Sequence, residues 1–262
     1  MDIIDKVKSI KRRRDPKKLS VKSAINLTPN MRRITLQGDA LGNFPPNAEG
    51  FYLKLLFEQS GSAKPVMRTY TVAEQRSEKN EIDVDFMLHS GHQGIASGFA
   101  APWSLQAKTG DEISLFGPGP AKFINLDADH FLLAADMTAL PALTTNLKLL
   151  PENAKGTAFI EILTEADKQD LQKPKNINLV WVINETSGSD ESLLFHEIER
   201  AEWQTGKVAV WAACEFKTMK KIRQYLKVKR GVEKSHLYIS SYWKKGDTEE
   251  EHKVIKQADE AS

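Results

Sequence analysis

"DEISLFGPGPAKFINLDADHFLLAAD", residues 111–136, is where the chain changes its rhythm. The left end, "DEISLFGPG", has the alternation of a half-buried strand. The right end, "HFLLAAD", is a short apolar strand that leads into a helical stretch, "TALPALTTNLKLL". Between them the glycine and proline density of "GPGPAKF" suits a connector, and it puts a boundary near residues 121–128.

N-terminal to that boundary, the runs "LSVKSAINL", "MRRITLQG", "FYLKLLFE", "VMRTYTVAEQ" and "EIDVDFMLH" join "DEISLFGPG" in a set of alternating, β-branched segments separated by turn residues. That set predicts an antiparallel barrel or sandwich. One helix-like insert, "GIASGFAAPWSLQA", interrupts it between Gly94 and Ala107. C-terminal to the boundary, "GTAFIEIL", "NLVWVIN", "KVAVWAAC" and "HLYISSYW" alternate with the helical patterns "EADKQDLQ", "ESLLFHEIERAEW" and "FKTMKKIRQYL". Alternating β and α units predict a doubly wound parallel sheet. The division is a basic segment at 1–17, a barrel domain at 18–124, an α/β domain at 125–246 and a polar tail at 247–262, expected as a short amphipathic helix or disorder.

The 262 residues, 40% of them hydrophobic, suffice for two ordinary domains with real cores. The 37 basic and 35 acidic residues leave a net charge of +2, so no global field argues for nucleic acid. The "KRRRDPKK" run is read as a solvated basic end. The single cysteine, Cys214, rules out an intrachain disulfide framework and cysteine-rich metal sites; it is read as a small buried hydrophobe. No apolar stretch reaches the roughly 20 residues that cross a bilayer, and the first residues lack a secretory pattern. A soluble cytoplasmic protein is expected, with a monomer as the default.

Candidate site residues lie on the strand "VMRTYTVAEQ". Arg68 and Tyr70 point to one face and Thr69 and Thr71 to the other. Arginine offers a planar fork for phosphate oxygens, and tyrosine a flat ring with a hydroxyl. An ordinary edge strand with a solvated arginine would read the same way. In the next strand Ile82, Val84, Phe86 and Leu88 share one face while Asp83, Asp85, Met87 and His89 share the other. A small-residue turn with Gly94, Ala96 and Ser97 follows, and a helix N-terminus there would be an anion site. His89 and His92 could ligate a metal only with a third ligand that the neighbouring sequence does not supply, so no metal is expected. Asp136, Thr138 and Ala139 lie at the first strand-to-helix junction of the sheet, where amides can meet a cofactor or Thr138 can cap the helix.

The "RTYT" and "DVDFMLHSGHQGIASGFA" segments, followed by "GDEISLFGPGP", resemble the siderophore-interacting protein family, flavin-dependent ferric-siderophore reductases of the ferredoxin-reductase-like superfamily. "VWAACEFKTMKKIRQYL" and "YISSYWKKGDTEEE" resemble its later motifs, so the likeness runs over roughly residues 18 to 251. The resemblance implies a six-stranded FAD-binding barrel and a nicotinamide-binding-like α/β domain. It places flavin contacts at Arg68, Tyr70, Thr71, Asp85 and His89, and the FAD pyrophosphate at the turn with Gly94, Ala96 and Ser97; Thr69, on the same strand, is expected to join the cofactor contacts. Two positions depart from the family: Ile95 stands in a Gly-Pro-Ala-Ser turn, and Cys214 in an Ala-Gly-Glu motif.

The implied reaction passes a hydride from NADH or NADPH to FAD and single electrons to a ferric siderophore. Flavin is the natural converter between two-electron and one-electron chemistry. Ferrous iron is softer than ferric and binds the hard oxygen donors of siderophores weakly, so reduction releases it. No side chain has to serve as nucleophile or general base. Lys54, Lys244 and Lys245 are expected to attract the anionic complex, Arg230 less so, with Trp243 as an aromatic cover near the flavin. Two alternatives remain: reduced ferredoxin as the donor, landing on Lys217, Lys220, Lys221 and Arg223, or a siderophore-binding protein without redox chemistry.

Overall fold

The structure, a computed structural model, describes residues 15–59, 61–62, 64–88 and 98–260. Six strands form the first half: β1 (Lys17–Thr28), β2 (Met31–Gln37), β3 (Tyr52–Phe57), β4 (Val66–Arg76), β5 (Glu81–Met87) and β6 (Glu112–Gly119). They close into an antiparallel barrel in the order β1-β2-β5-β4-β3-β6. Closure pairs the two outermost strands and removes the exposed edges of an open sheet. Alternation decides which side chains fill it: Ile82, Val84 and Phe86 of β5 are wholly buried with Leu53 and Leu55 of β3, Val72 of β4 and Leu115 of β6. Helix α1 (Ala100–Gln106) brings Trp103 against Phe57 and Phe86.

The other face of β5 carries charge, and each of its carboxylates is paired. Asp85 receives both Arg33 nitrogens at 2.7 and 2.9 Å, Asp83 receives Arg76 at 2.6 and 2.9 Å, and Glu81 receives Arg76 and Lys22. A buried carboxylate needs an opposite charge or several hydrogen-bond donors, and these have the charge.

The second half is the expected parallel sheet, in the order β11-β10-β7-β8-β9. Its strands are β7 (His130–Ala135), β8 (Lys155–Ile162), β9 (Asn176–Ile183), β10 (Val208–Glu215) and β11 (Leu237–Trp243). Successive residues of β7 serve opposite faces. Phe131, Leu133 and Ala135 pack with helix α2 (Leu140–Leu149), while Leu132 and Ala134 pack with α3 (Leu193–Arg200) and α4 (Phe216–Gln224). Covering on both faces is why these strands read as continuous apolar runs.

Three elements differ from the sequence reading or sharpen it. The helix expected over "EADKQDLQ" is a single turn, Glu165–Asp167. The segment offers only Ala166 and Leu171 as apolar residues, too few for a buried stripe, and Asp167 turns inward instead. The insert after β5 is helical from Ala100, and residues 94–97 lie outside the described residues. The tail forms helix α5 (Glu249–Glu260), docked by His252 Nε2 on Ser241 Oγ at 2.8 Å, by Lys256 Nζ on Ser240 Oγ at 2.6 Å and by Arg223 on Asp259 at 2.6 and 2.7 Å. Among the described residues no helix is long and apolar enough to cross a membrane.

The halves are tied at the connector, where Ile124 N–H donates to Asn146 of α2 and Trp211 Nε1 donates to the Lys122 carbonyl, both at 2.8 Å. α2 also packs against β4. The carboxyl edge of the sheet therefore lies beside the strand that carries Arg68.

Candidate functional site

β4 is longer than the strand beside it. It pairs with β3 through Val66–Thr71 but meets β5 only from Val72 onward. Among the described residues no strand pairs with the other backbone edge of 66–71, and an open edge inside a barrel wall is a place for a ligand or another segment. In register, Arg68 lies opposite Leu55 and Tyr70 opposite Leu53, while Thr69 lies opposite Lys54 and Thr71 opposite Tyr52. The two faces are those read from the sequence.

Tyr70 places its ring 4.4 Å from that of Phe86, and burial pushes its phenol well above the ordinary range. A neutral, fixed ring results. Arg68 lies over the Phe99 ring at 5.6 Å and donates from Nη1 to the Met67 carbonyl at 2.7 Å and to Glu250 Oε1 at 3.0 Å. Glu249 takes the open edge itself: Oε2 accepts the Thr69 backbone N–H at 2.9 Å, and Oε1 accepts the Thr69 hydroxyl at 2.5 Å and Lys54 Nζ at 3.3 Å. Lys54 also donates to the Thr69 hydroxyl. Two carboxylates of α5 therefore stand in for anions on a guanidinium, an ammonium and a backbone amide. Such a donor set fits the phosphate and ring-edge oxygens of a flavin dinucleotide.

Sequence reasoning missed Glu249 and Glu250 as neighbours of this strand. Part of the signal was present: Thr248 and Glu251 form a reciprocal cap, with Glu251 Oε2 accepting Thr248 N–H at 2.7 Å and Thr248 Oγ1 accepting Glu251 N–H at 3.2 Å. Thr-x-x-Glu announces a helix start. It does not say where the helix docks.

The carboxyl edge of the sheet holds the second group of candidates. Asp136, at the end of β7, accepts Trp243 Nε1 at 2.7 Å and Thr138 N–H and Oγ1 at 2.9 and 2.5 Å. Burial pushes its carboxyl up to about 6 against those bonds. Thr138 is thereby turned toward Asp136, and Ala139 is fully buried with its N–H on the Asp136 carbonyl. Trp243 is wedged from its other side: a β-carbon at Gly188 would stand 2.8 Å from its ring. Glu215 caps α4 through the Lys217 and Thr218 amides at 2.6 and 3.1 Å. Cys214, near the end of β10, packs into the layer of α3 and α4, and burial raises its thiol well above the ordinary value.

Lys244 and Lys245 follow Trp243 directly. Lys244 Nζ donates to Asp247 at 2.8 Å and Lys245 Nζ to the Ser187 carbonyl at 3.4 Å. Arg230 lies elsewhere, stacked on Tyr225 and Trp203 at 5.0 and 5.2 Å, with Trp203 preceding the amino end of β10. Asp85 is held by Arg33 on the barrel wall, where burial pushes its carboxyl up against that pairing. His89, Gly94, Ala96 and Ser97 lie outside the described residues. Among the described residues no group of histidine, cysteine and carboxylate side chains could hold a metal ion.

Residues 20–65 and 58–122 match the siderophore-interacting FAD-binding domain, and residues 128–246 match the siderophore-interacting protein domain. The ferric vibriobactin reductase of Vibrio cholerae is 29% identical over 243 residues, covering 86% of this chain and 88% of its own. An uncharacterized protein of Mycobacterium tuberculosis is 32% identical over 256 residues, covering 86% and 89%. The NADPH-dependent ferric-chelate reductase of Escherichia coli is 23% identical over 247 residues, covering 87% and 92%. Among solved structures, the siderophore-interacting protein SipS from Aeromonas hydrophila superposes with a TM-score of 0.83 at 27% identity, covering 94% of this chain and 98% of that one. A closed six-stranded barrel with an FAD-binding domain match, a parallel five-stranded sheet, and relatives of this kind along nearly the whole chain place this protein in the siderophore-interacting protein family.

Proposed function

We propose that this chain is a ferric-siderophore reductase that takes electrons from NADH or NADPH, acts in the cytoplasm and releases iron as Fe(II). The observation that carries the reading is the open edge of β4, where Arg68, Lys54 and the Thr69 amide already donate to carboxylates beside the carboxyl edge of the sheet. FAD bound there supplies the conversion between a two-electron donor and a one-electron acceptor. The protein's share is binding and orientation. Residues 18–124 would form the flavin-binding unit and 125–246 the nicotinamide-binding unit.

Arg68 would grip phosphate, Thr69 and Thr71 would meet the polar edge of the ring system, and Tyr70 would give it a rigid apolar support. Asp85 and Ala139 would contribute through the backbone they fix, since the Asp85 carboxylate is engaged by Arg33 and Ala139 is buried. Thr138 would shape the start of α2 and Trp243 would cover the cleft. His89, Gly94, Ala96 and Ser97 complete the proposed cofactor set by resemblance alone. Lys54, Lys244 and Lys245 would draw in an anionic ferric complex.

The name of the Escherichia coli relative supports a nicotinamide donor. A ferredoxin would need a free basic landing surface. The ferredoxin alternative would use Lys217, Lys221 and Arg223, whose present partners are Asp190 and Asp259. The test is a visible spectrum of the purified protein with its released cofactor identified, followed by anaerobic NADH or NADPH and then ferric siderophore. FAD that bleaches with nicotinamide and recovers with the ferric complex is the expected result. Bleaching only with reduced ferredoxin would reassign the donor, and a colourless protein that takes up no FAD would overturn the reading.

A further inference from the structure

The first turn of α5 occupies groups that a reductase needs for its ligands. Glu249 meets Thr69 from 180 positions away and Lys54 from 195. The contact is not how the helix is held. Its anchorage lies further along, at His252 on Ser241, Lys256 on Ser240 and Asp259 on Arg223, all on the α/β half. Those ties keep the helix in place when the first turn lets go. The Lys54 and Glu249 side chains are 35% and 26% exposed, so water and solutes reach the pair. An exposed ion pair of this kind is weak and exchanges readily.

We propose that the first turn of α5 is a strap over the substrate side of β3 and β4, with Glu249 holding Lys54 in the resting chain and yielding it to a negatively charged ferric complex. The proposal rests on the reductase reading. A trianionic ferric tricatecholate carries more charge than one carboxylate and can displace it from Lys54, whereas an uncharged ferric trihydroxamate gains nothing there. The strap therefore sets selectivity by charge. While in place it also keeps Lys54 covered.

The test uses the full chain, first checked for bound flavin, with ferric tricatecholate and ferric trihydroxamate as probes. In E249Q the KM for the tricatecholate falls about two- to fivefold with kcat unchanged, the span expected for one partly exposed charge pair. The KM for the trihydroxamate does not move. A chain ending at Gly246 shifts in the same direction. In the wild type, hydrogen exchange of amides 248–252 accelerates on adding tricatecholate and not on adding trihydroxamate. An unchanged KM in E249Q together with unchanged exchange, in a protein that binds flavin and reduces the complex, overturns the strap and leaves the reductase reading intact. A wild type that neither binds flavin nor turns over either complex ends both.

Discussion

Asp167 and Asn30 stand 137 positions apart and are joined by two hydrogen bonds, with the Asn30 backbone N–H and Nδ2 donating at 2.9 and 2.8 Å to the two oxygens of the carboxylate. Thr28 Oγ1 adds a bond at 2.7 Å, and Thr164 adds its N–H and hydroxyl at 3.0 and 2.9 Å. One fully buried carboxylate thus takes donors from the β1–β2 turn of the barrel and from the end of β8. It ties the β1–β2 turn of the barrel to the α/β half.

Asp167→Ala should cost about 3 kcal/mol in urea unfolding, because several buried donors lose their acceptor at once. The pH dependence has a definite sign. Burial pushes the Asp167 carboxyl up, but the bonds from Asn30, Thr28 and Thr164 outweigh it, so its pKa lies below the usual value. Its stabilisation is then present above the unfolded value of about 3.9 and is lost as pH falls through the lower folded value. Asp167→Asn should remove that acid-labile part. An identical acid dependence in both proteins would refute the clamp.

Arg68→Ala removes the only guanidinium on the open edge of β4. Loss of a charge-assisted bond to phosphate should weaken FAD about 10- to 100-fold. The Tyr70 ring, packed on the buried Phe86, stays in place in the variant. Flavin content after gel filtration, with binding of added FAD by fluorescence quenching, reads the effect. Equal retention in the variant would remove Arg68 from the cofactor site.

Much of this arrangement was legible in the chain because local periodicity controls it. Alternation in "EIDVDFM" placed Ile82, Val84 and Phe86 inside, and the runs of β7 and β10 announced strands covered on both faces. The facing of Arg68 and Tyr70 followed from a period of two. What could not be read depends on partners distant in sequence. That β4 is open at Thr69 follows from where β5 pairing begins, at Val72. The engagement of Asp85 follows from Arg33 on β2, 52 residues earlier. The missing helix after β8 follows from Asp167, whose strongest claim lies on the barrel.

Lys244→Ala with Lys245→Ala should leave flavin content unchanged and raise the KM for a ferric tricatecholate about two- to fivefold, the range for partly exposed charges. Both ammonium groups sit beside Trp243 at the carboxyl edge, and their present partners, Asp247 and the Ser187 carbonyl, are exchangeable. An unchanged KM in steady-state kinetics would move substrate docking away from this edge.

Asp136 and Trp243 should make the cleft sensitive to pH near neutrality. Burial raises the Asp136 carboxyl to about 6, against the bonds from Thr138 and Trp243. For a raised carboxyl the favourable contribution is complete below the unfolded value of about 3.9 and disappears as pH rises through the folded value. Wild type should therefore lose about 3 kcal/mol relative to Asp136→Asn between those limits. Over the same window ionised Asp136 strengthens its hold on the indole N–H, so the emission of Trp243 should shift with a midpoint near 6. The protein has five tryptophans, and Trp243→Phe identifies this component by its loss. Matching pH slopes in wild type and Asp136→Asn, with no titration in the emission, would mean that Asp136 stays charged throughout and that the cleft is held by Trp243 packing on Gly188 alone.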